Sequence, residues 1–109
     1  MAEKTFFDVW KEESPASMQG FFDFAHSVQV NCGLEPKWFQ LVYIALQASR
    51  GAVGSVAAHT GYAKAAGATR DEVKGVILTT LMAVGINGVA DCLPAAMAAY
   101  DAAPDAPEK

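Results

Sequence analysis

Gly67-Ala68-Thr69-Arg70-Asp71-Glu72-Val73 carries both a stop and a start signal. Glycine is a natural helix terminator because it takes positive φ without strain. Thr69 followed by Glu72 is the pattern of a capping box, in which the threonine oxygen accepts from one orphan amide and the glutamate carboxylate from another. One helix therefore ends before Gly67 and another begins after Thr69. Beyond it, Val73, Val76, Ile77, Thr80, Leu81 and Val84 recur at steps of three and four, the period of one helix face. Leu78 and Met82 make the other side of this helix apolar too, so that side needs a partner of its own.

Upstream, residues 52–66 read as a helix that Gly51 separates from an earlier one. That earlier helix holds no charged residue from Trp38 to Ser49 and should be covered on nearly all sides, more than a small domain buries alone. Ser14-Pro15 and Glu35-Pro36 are further starts, since proline suits the first helical turn and a serine oxygen caps free amides. Before Ser14, a short helix over residues 4–13 puts Phe6, Phe7 and Trp10 on one face. Between the two prolines, Met18, Phe21, Phe22, Ala25 and Val28 share a face of a second helix, ended by Gly33. Downstream, residues 88–102 form the last helix, which Pro94 either bends or restarts. No stretch alternates as a half-buried strand does. The expectation is an all-α bundle of about six helices, one domain over residues 1–103 with a flexible tail over 104–109.

A chain of 109 residues with 52% hydrophobic and 18% charged side chains has the balance of one folded domain. Its net charge of -4 and its scattered lysines and arginines offer no basic stripe for a phosphate backbone, which argues against nucleic acid as a partner. Residues 75–90 are uncharged, but that run is too short for a confident membrane span and is broken by Gly85, Asn87 and Gly88. The N-terminus begins with charge and lacks the apolar core of a secretory signal, so a cytoplasmic protein with no membrane partner is expected. In a reducing compartment Cys32 and Cys92, far apart and outside any Cys-x-x-Cys, default to small hydrophobes.

The chemistry-bearing residues gather on the helix over residues 52–66. Ala52, Ser55, His59, Tyr62 and Ala66 share one face, whereas Gly54, Ala57, Ala58, Gly61 and Ala65 form a second face of small residues that reads as a packing seam. His59, one turn after Ser55, could accept its hydroxyl proton, the beginning of a nucleophilic pair. An orienting acid and an oxyanion site cannot be located from the sequence, so a core or interface histidine satisfied by a neighbour is the plainer reading. The amides of Ala52, Val53 and Gly54 begin the helix and could hold a carboxylate or a polarised carbonyl, unless water or the preceding loop takes them. Arg50 is the nearest cation in sequence. His26, beside Asp23, reads as solvated, and neither histidine has further ligands at zinc spacing, so no metal and no cofactor are expected.

The order of signals from Pro36 to Tyr100 resembles the carboxymuconolactone decarboxylase-like superfamily, which includes the alkylhydroperoxidase D-like proteins. The resemblance is carried by Gln40-Leu41-Val42-Tyr43-Ile44-Ala45-Leu46, by His59, by Ala63 through Val73 with its Gly-Ala-Thr and acidic pair, and by Gly85 after an apolar helix. It implies an all-helical fold and a homo-oligomer, a trimer or hexamer, which agrees with the doubly apolar helices. In the peroxidase branch a glutamate, two cysteines and a histidine form a proton relay. Carried onto this chain, the glutamate falls on Gln40, the cysteines on Ala52 and Ser55, and the histidine on His59. Only the histidine remains, and glutamine cannot shuttle a proton as a carboxylate does. The resemblance thus implies a degenerate redox site, with a small organic molecule bound or transformed in a pocket around His59, Ser55, Gln40, Tyr43, Tyr62, Ala52 and Arg50. The alternatives are a decarboxylase-type acid/base enzyme acting on a lactone or carboxylate, a thiol peroxidase using Cys32 or Cys92, and a non-catalytic oligomeric scaffold.

Overall fold

The structure, a computed structural model, describes residues 3–107. Among them are six helices and no strand: α1 (Phe6–Glu13), α2 (Pro15–Asn31), α3 (Pro36–Ser49), α4 (Val53–Ala65), α5 (Arg70–Val84) and α6 (Asn87–Ala102). Residues 108 and 109 of the expected tail lie outside the described residues. Contacts divide the chain into two units, Met1–Gly33 and Leu34–Lys109.

The first unit is a pair of helices. Thr5 caps α1 through a reciprocal capping box with Asp8, a start signal that the sequence reading passed over. Phe6 stacks on Trp10, Phe7 meets Phe22, and Trp10 meets Phe21, all at ring separations of 5.4 to 5.8 Å. Neither helix has a buried residue. Ser14 precedes α2 without capping it: its oxygen accepts from the Ser17 hydroxyl instead of a backbone amide.

The second unit is a ring of four helices. α3 and α6 each pack on both α4 and α5. Its core draws on every member: Leu41, Ile44 and Ala48 from α3, Val56 and Ala63 from α4, Val73 and Ile77 from α5, and Val89, Cys92 and Ala96 from α6. Each buried Leu, Ile or Val contributes roughly 1.5–3 kcal/mol of transfer free energy. The buried hydroxyls of Thr60 and Thr80 donate to carbonyls of their own helices, so they add no unpaired polar group.

Two Schellman motifs bracket α4, one ending α3 and the other ending α4 itself. At the end of α3, the Ala52 amide donates to the Gln47 carbonyl and the Gly51 amide to that of Ala48, both at 3.0 Å. At the end of α4, Ala68 and Gly67 repeat the pattern onto Ala63 and Lys64. Gly51 and Gly67 stand at φ +71° and +99°, the left-handed region the motif requires. The Thr69–Glu72 capping box then opens α5, with both bonds formed. Pro94 sits inside α6, which runs through it without a restart.

Packing corrects the expected small-residue seam and shortens the expected buried face of α5. The face of α4 turned to the core is Val56, Thr60 and Ala63, whereas a side chain added at Gly54 or Gly61 would meet nothing within 4 Å. The close approach between helices lies elsewhere, at buried Gly88, where a Cβ would overlap the Ala48 carbonyl oxygen. On α5, only Val73, Ile77 and Thr80 of the predicted face are buried; Leu81 and Val84 are exposed, as are Leu78 and Met82. The uncharged stretch 38–49 of α3 is likewise covered on one side alone within this chain, with Val42 and Leu46 47% and 61% exposed. Between α3 and α5 lies an open apolar groove of about 500 Å³, lined by Trp38, Val42 and Leu46 of α3 and Val76, Ala83 and Val84 of α5, with Leu78, Leu81 and Met82 outside it.

Candidate functional site

Gln40, Tyr43, Gln47 and Arg50 follow at steps of three and four along α3 and past its end, a polar stripe on a helix whose other residues after Lys37 are apolar or small. Ser55, His59 and Tyr62 form the matching stripe on α4. The Schellman turn folds one helix back on the other, and the stripes meet.

His59 is half-buried, and its Nδ1 lies 2.8 Å from Oε1 of buried Gln40. Tyr43 stacks on its ring at 4.0 Å between centroids, and Tyr62 stands edge-on at 5.1 Å. Burial pushes the imidazole below the ordinary histidine range. His59 is thus disposed to be neutral at pH 7. Its Nε2 bonds no other group in the described residues. Every fully buried side-chain nitrogen and oxygen among those residues has a partner, so the unpaired Nε2 is not fully buried.

Ser55 takes a different partner from the one its spacing offered. Its oxygen accepts from Gln47 Nε2 at 2.8 Å, and the same amide donates to the Tyr43 hydroxyl at 3.2 Å. Gln47 Oε1 in turn accepts from Arg50 at 3.4 Å, the long end of a hydrogen bond. Gln47 is therefore the hub of the cluster, and the sequence reading missed it. The signal was the α3 stripe itself, in which a glutamine one turn beyond Tyr43 faces the same way.

The start of α4 is less open than its amides alone imply. The Ala52 and Val53 amides donate to the Gln47 and Gly51 carbonyls, so the loop occupies two of the three groups considered for an anion. Arg50 is exposed at the rim and Tyr62 is 57% exposed. None of the residues named here, Gln40, Tyr43, Gln47, Ser55 and His59, lines the apolar groove between α3 and α5.

The remaining candidates stand apart. His26 is exposed on α2. Cys32 and Cys92 are both free thiols, the first exposed at the end of α2 and the second in the core of the four-helix ring. Burial, with Asp91 adding to it, raises the Cys92 thiol above its usual range, away from the reactive thiolate. No three or more His, Cys, Asp or Glu side chains gather in metal-binding geometry among the described residues. No helix among them is long and apolar enough to cross a membrane.

Fold and site together define a small all-helical protein whose polar cluster sits on one helical hairpin. The chain belongs to the carboxymuconolactone decarboxylase family, whose model matches residues 15–103, from the start of α2 to the end of α6. No curated protein and no solved structure matches it.

Proposed function

We propose that this family member binds a small organic molecule at the cluster of His59, Gln40, Tyr43 and Ser55, without thiol chemistry at that place. The observation that carries the reading is the 2.8 Å bond from His59 to Gln40, which orients a half-buried imidazole while Nε2 stays open. Positions 52 and 55 hold alanine and serine, so neither can form the disulfide of a peroxidase cycle. Arg50, Tyr62 and the start of α4 at Ala52 flank the cluster and complete the ligand-facing set.

Screening small lactones and carboxylates for a rise in melting temperature tests this reading. A rise that His59→Ala abolishes is expected. Unchanged melting at millimolar ligand, or an equal rise in the variant, would overturn it.

Acid/base chemistry on a lactone or carboxylate is the second reading, favoured by the lowered proton affinity of His59, which suits a base at neutral pH. Redox use of Cys32 or Cys92 has less support, because the Cys92 thiol is buried and disfavoured as thiolate. Peroxide consumption that persists in wild type and vanishes in Cys32→Ser with Cys92→Ser would restore it. Family membership and the uncovered apolar sides of α3 and α5 also support self-assembly, as a trimer or hexamer, and an oligomeric scaffold without catalysis remains consistent with the same faces.

A further inference from the structure

Gln40 and Gln47 stand two turns apart on α3, and between them they touch His59, Tyr43 and Ser55. An amide oxygen can only accept and an amide NH₂ can only donate, so each glutamine dictates what its partner must do. Gln40 presents Oε1 to Nδ1, and an acceptor there requires the imidazole to carry its proton on that atom. Gln47 spends its NH₂ on the oxygens of Tyr43 and Ser55, which leaves each hydroxyl its own proton to give elsewhere. The Gln40 NH₂ has no bond to another described side chain and is not a buried unpaired group, so it too is open as a donor.

We propose that the two glutamines fix the hydrogen-bond polarity of the site: Gln40 holds His59 as the Nδ1–H tautomer with Nε2 as acceptor, Gln47 holds Tyr43 and Ser55 as donors, and the matching ligand is an uncharged molecule bearing an O–H whose proton goes to Nε2 and whose oxygen accepts from the donors. The inference rests on the small-molecule reading above and narrows it to a class. A carboxylate would bring its charge against the Nε2 lone pair, whereas a neutral enol, phenol or hydroxy-lactone offers the proton that Nε2 accepts. Burial of His59 supports the neutral ring on which this pattern depends. Gln40 and Gln47 are positioning residues here, acting through the groups they orient.

The imidazole nitrogen resonances of ¹⁵N-labelled protein report the tautomer directly, with no ligand present. The Nδ1–H form is expected in wild type and in Gln40→Glu, which keeps an acceptor at that position and raises the His59 pKa. In Gln40→Leu the preference is lost. Finding the proton on Nε2 in wild type, or the same tautomer in Gln40→Leu and wild type, would overturn the inference. Should Gln40→Leu fail to fold, the wild-type tautomer and the Gln40→Glu titration decide it alone.

Phenol, anisole and benzoate at millimolar concentration then probe the ligand class. Phenol should shift the Nε2 resonance, and anisole, which has no proton to give, and the benzoate anion should not. Gln47→Glu, whose carboxylate would draw both hydroxyl protons inward, should weaken phenol binding about tenfold, the loss of one good hydrogen bond, with the His59 tautomer unchanged. A response to benzoate equal to that to phenol would overturn the polarity. Silence toward all three probes with the Nδ1–H form intact would sink the small-molecule reading while upholding the role of Gln40.

Discussion

His59 is where sequence, packing and pH meet in a single side chain. Its imidazole is held below the ordinary value of 6.5 by burial, so between that lowered value and 6.5 the unfolded chain binds more protons than the native one. Native stability contributed by neutral His59 is therefore complete above pH 6.5 and falls as the solution is acidified through this window. A second loss comes lower. Glu72, depressed below 4.5 by the Thr69 amide and by Lys37, loses its contribution as pH falls through its own folded value. Melting temperatures across pH should show both slopes in wild type. In His59→Phe only the upper slope should vanish, and its persistence would show that another group governs it. The candidate site was only partly legible at this scale. Ser55 and His59 declared themselves as neighbours by spacing, but the real bonds run from each to a glutamine on another helix. His59 and Gln40 are 19 positions apart, and periodicity along one helix says nothing of a partner on the next; only the family resemblance had put the two in one site.

At the scale of the helix, most starts and stops were readable because they are local, the Thr5–Asp8 box of α1 being the one passed over. Gly33, Gly51 and Gly67, the two X-Pro starts and the Thr69–Glu72 box act through their own neighbours in the chain, whatever packs around them. The buried face of α4 was not readable for the opposite reason. With alanine and glycine spread around the helix, no apolar stripe distinguishes one face, and tertiary contacts chose Val56, Thr60 and Ala63. Three glycines separate these effects. Gly67→Ala should cost about 1–2 kcal/mol, because φ +99° is strained for any L side chain. Gly88→Ala should cost about 1–3 kcal/mol or abolish folding, since α6 must retreat from the Ala48 carbonyl. Gly54→Ala should instead gain about 0.5–1 kcal/mol, having open space and a helical backbone. Urea melts of the three variants would check the order, and a destabilised Gly54→Ala would contradict the open seam. The turn after α3 has a site-level effect as well. One residue inserted between Arg50 and Val53 would rotate α4 by about 100° and carry His59 off the Gln40 stripe. Such a variant should stay helical by circular dichroism and lose the bond between them, seen as a changed imidazole tautomer.

Across the whole molecule, the core of Leu34–Lys109 is complete in itself. Its buried residues come from α3 to α6 and the loop before α5. Lys64 fastens one end of this ring, donating to the Tyr100 and Ala103 carbonyls at 2.8 Å each and lying over the Tyr100 ring, while Arg70 pairs with Asp101 through two bonds. The stretch from Leu34 should therefore fold without the first 33 residues, giving a cooperative thermal transition on its own. A fragment that melts without cooperativity would show that the first unit is needed. Sedimentation of the full chain should give a mass above the monomer, and Leu46→Glu, a charge placed in the α3–α5 groove, should shift it toward the monomer without unfolding the ring. The proposed self-assembly through this groove would make protein concentration a variable of stability. When a second copy supplies the missing cover, mass action links folding to association, so that dilution acts as a denaturant and the melting temperature climbs with the amount of protein in the cell.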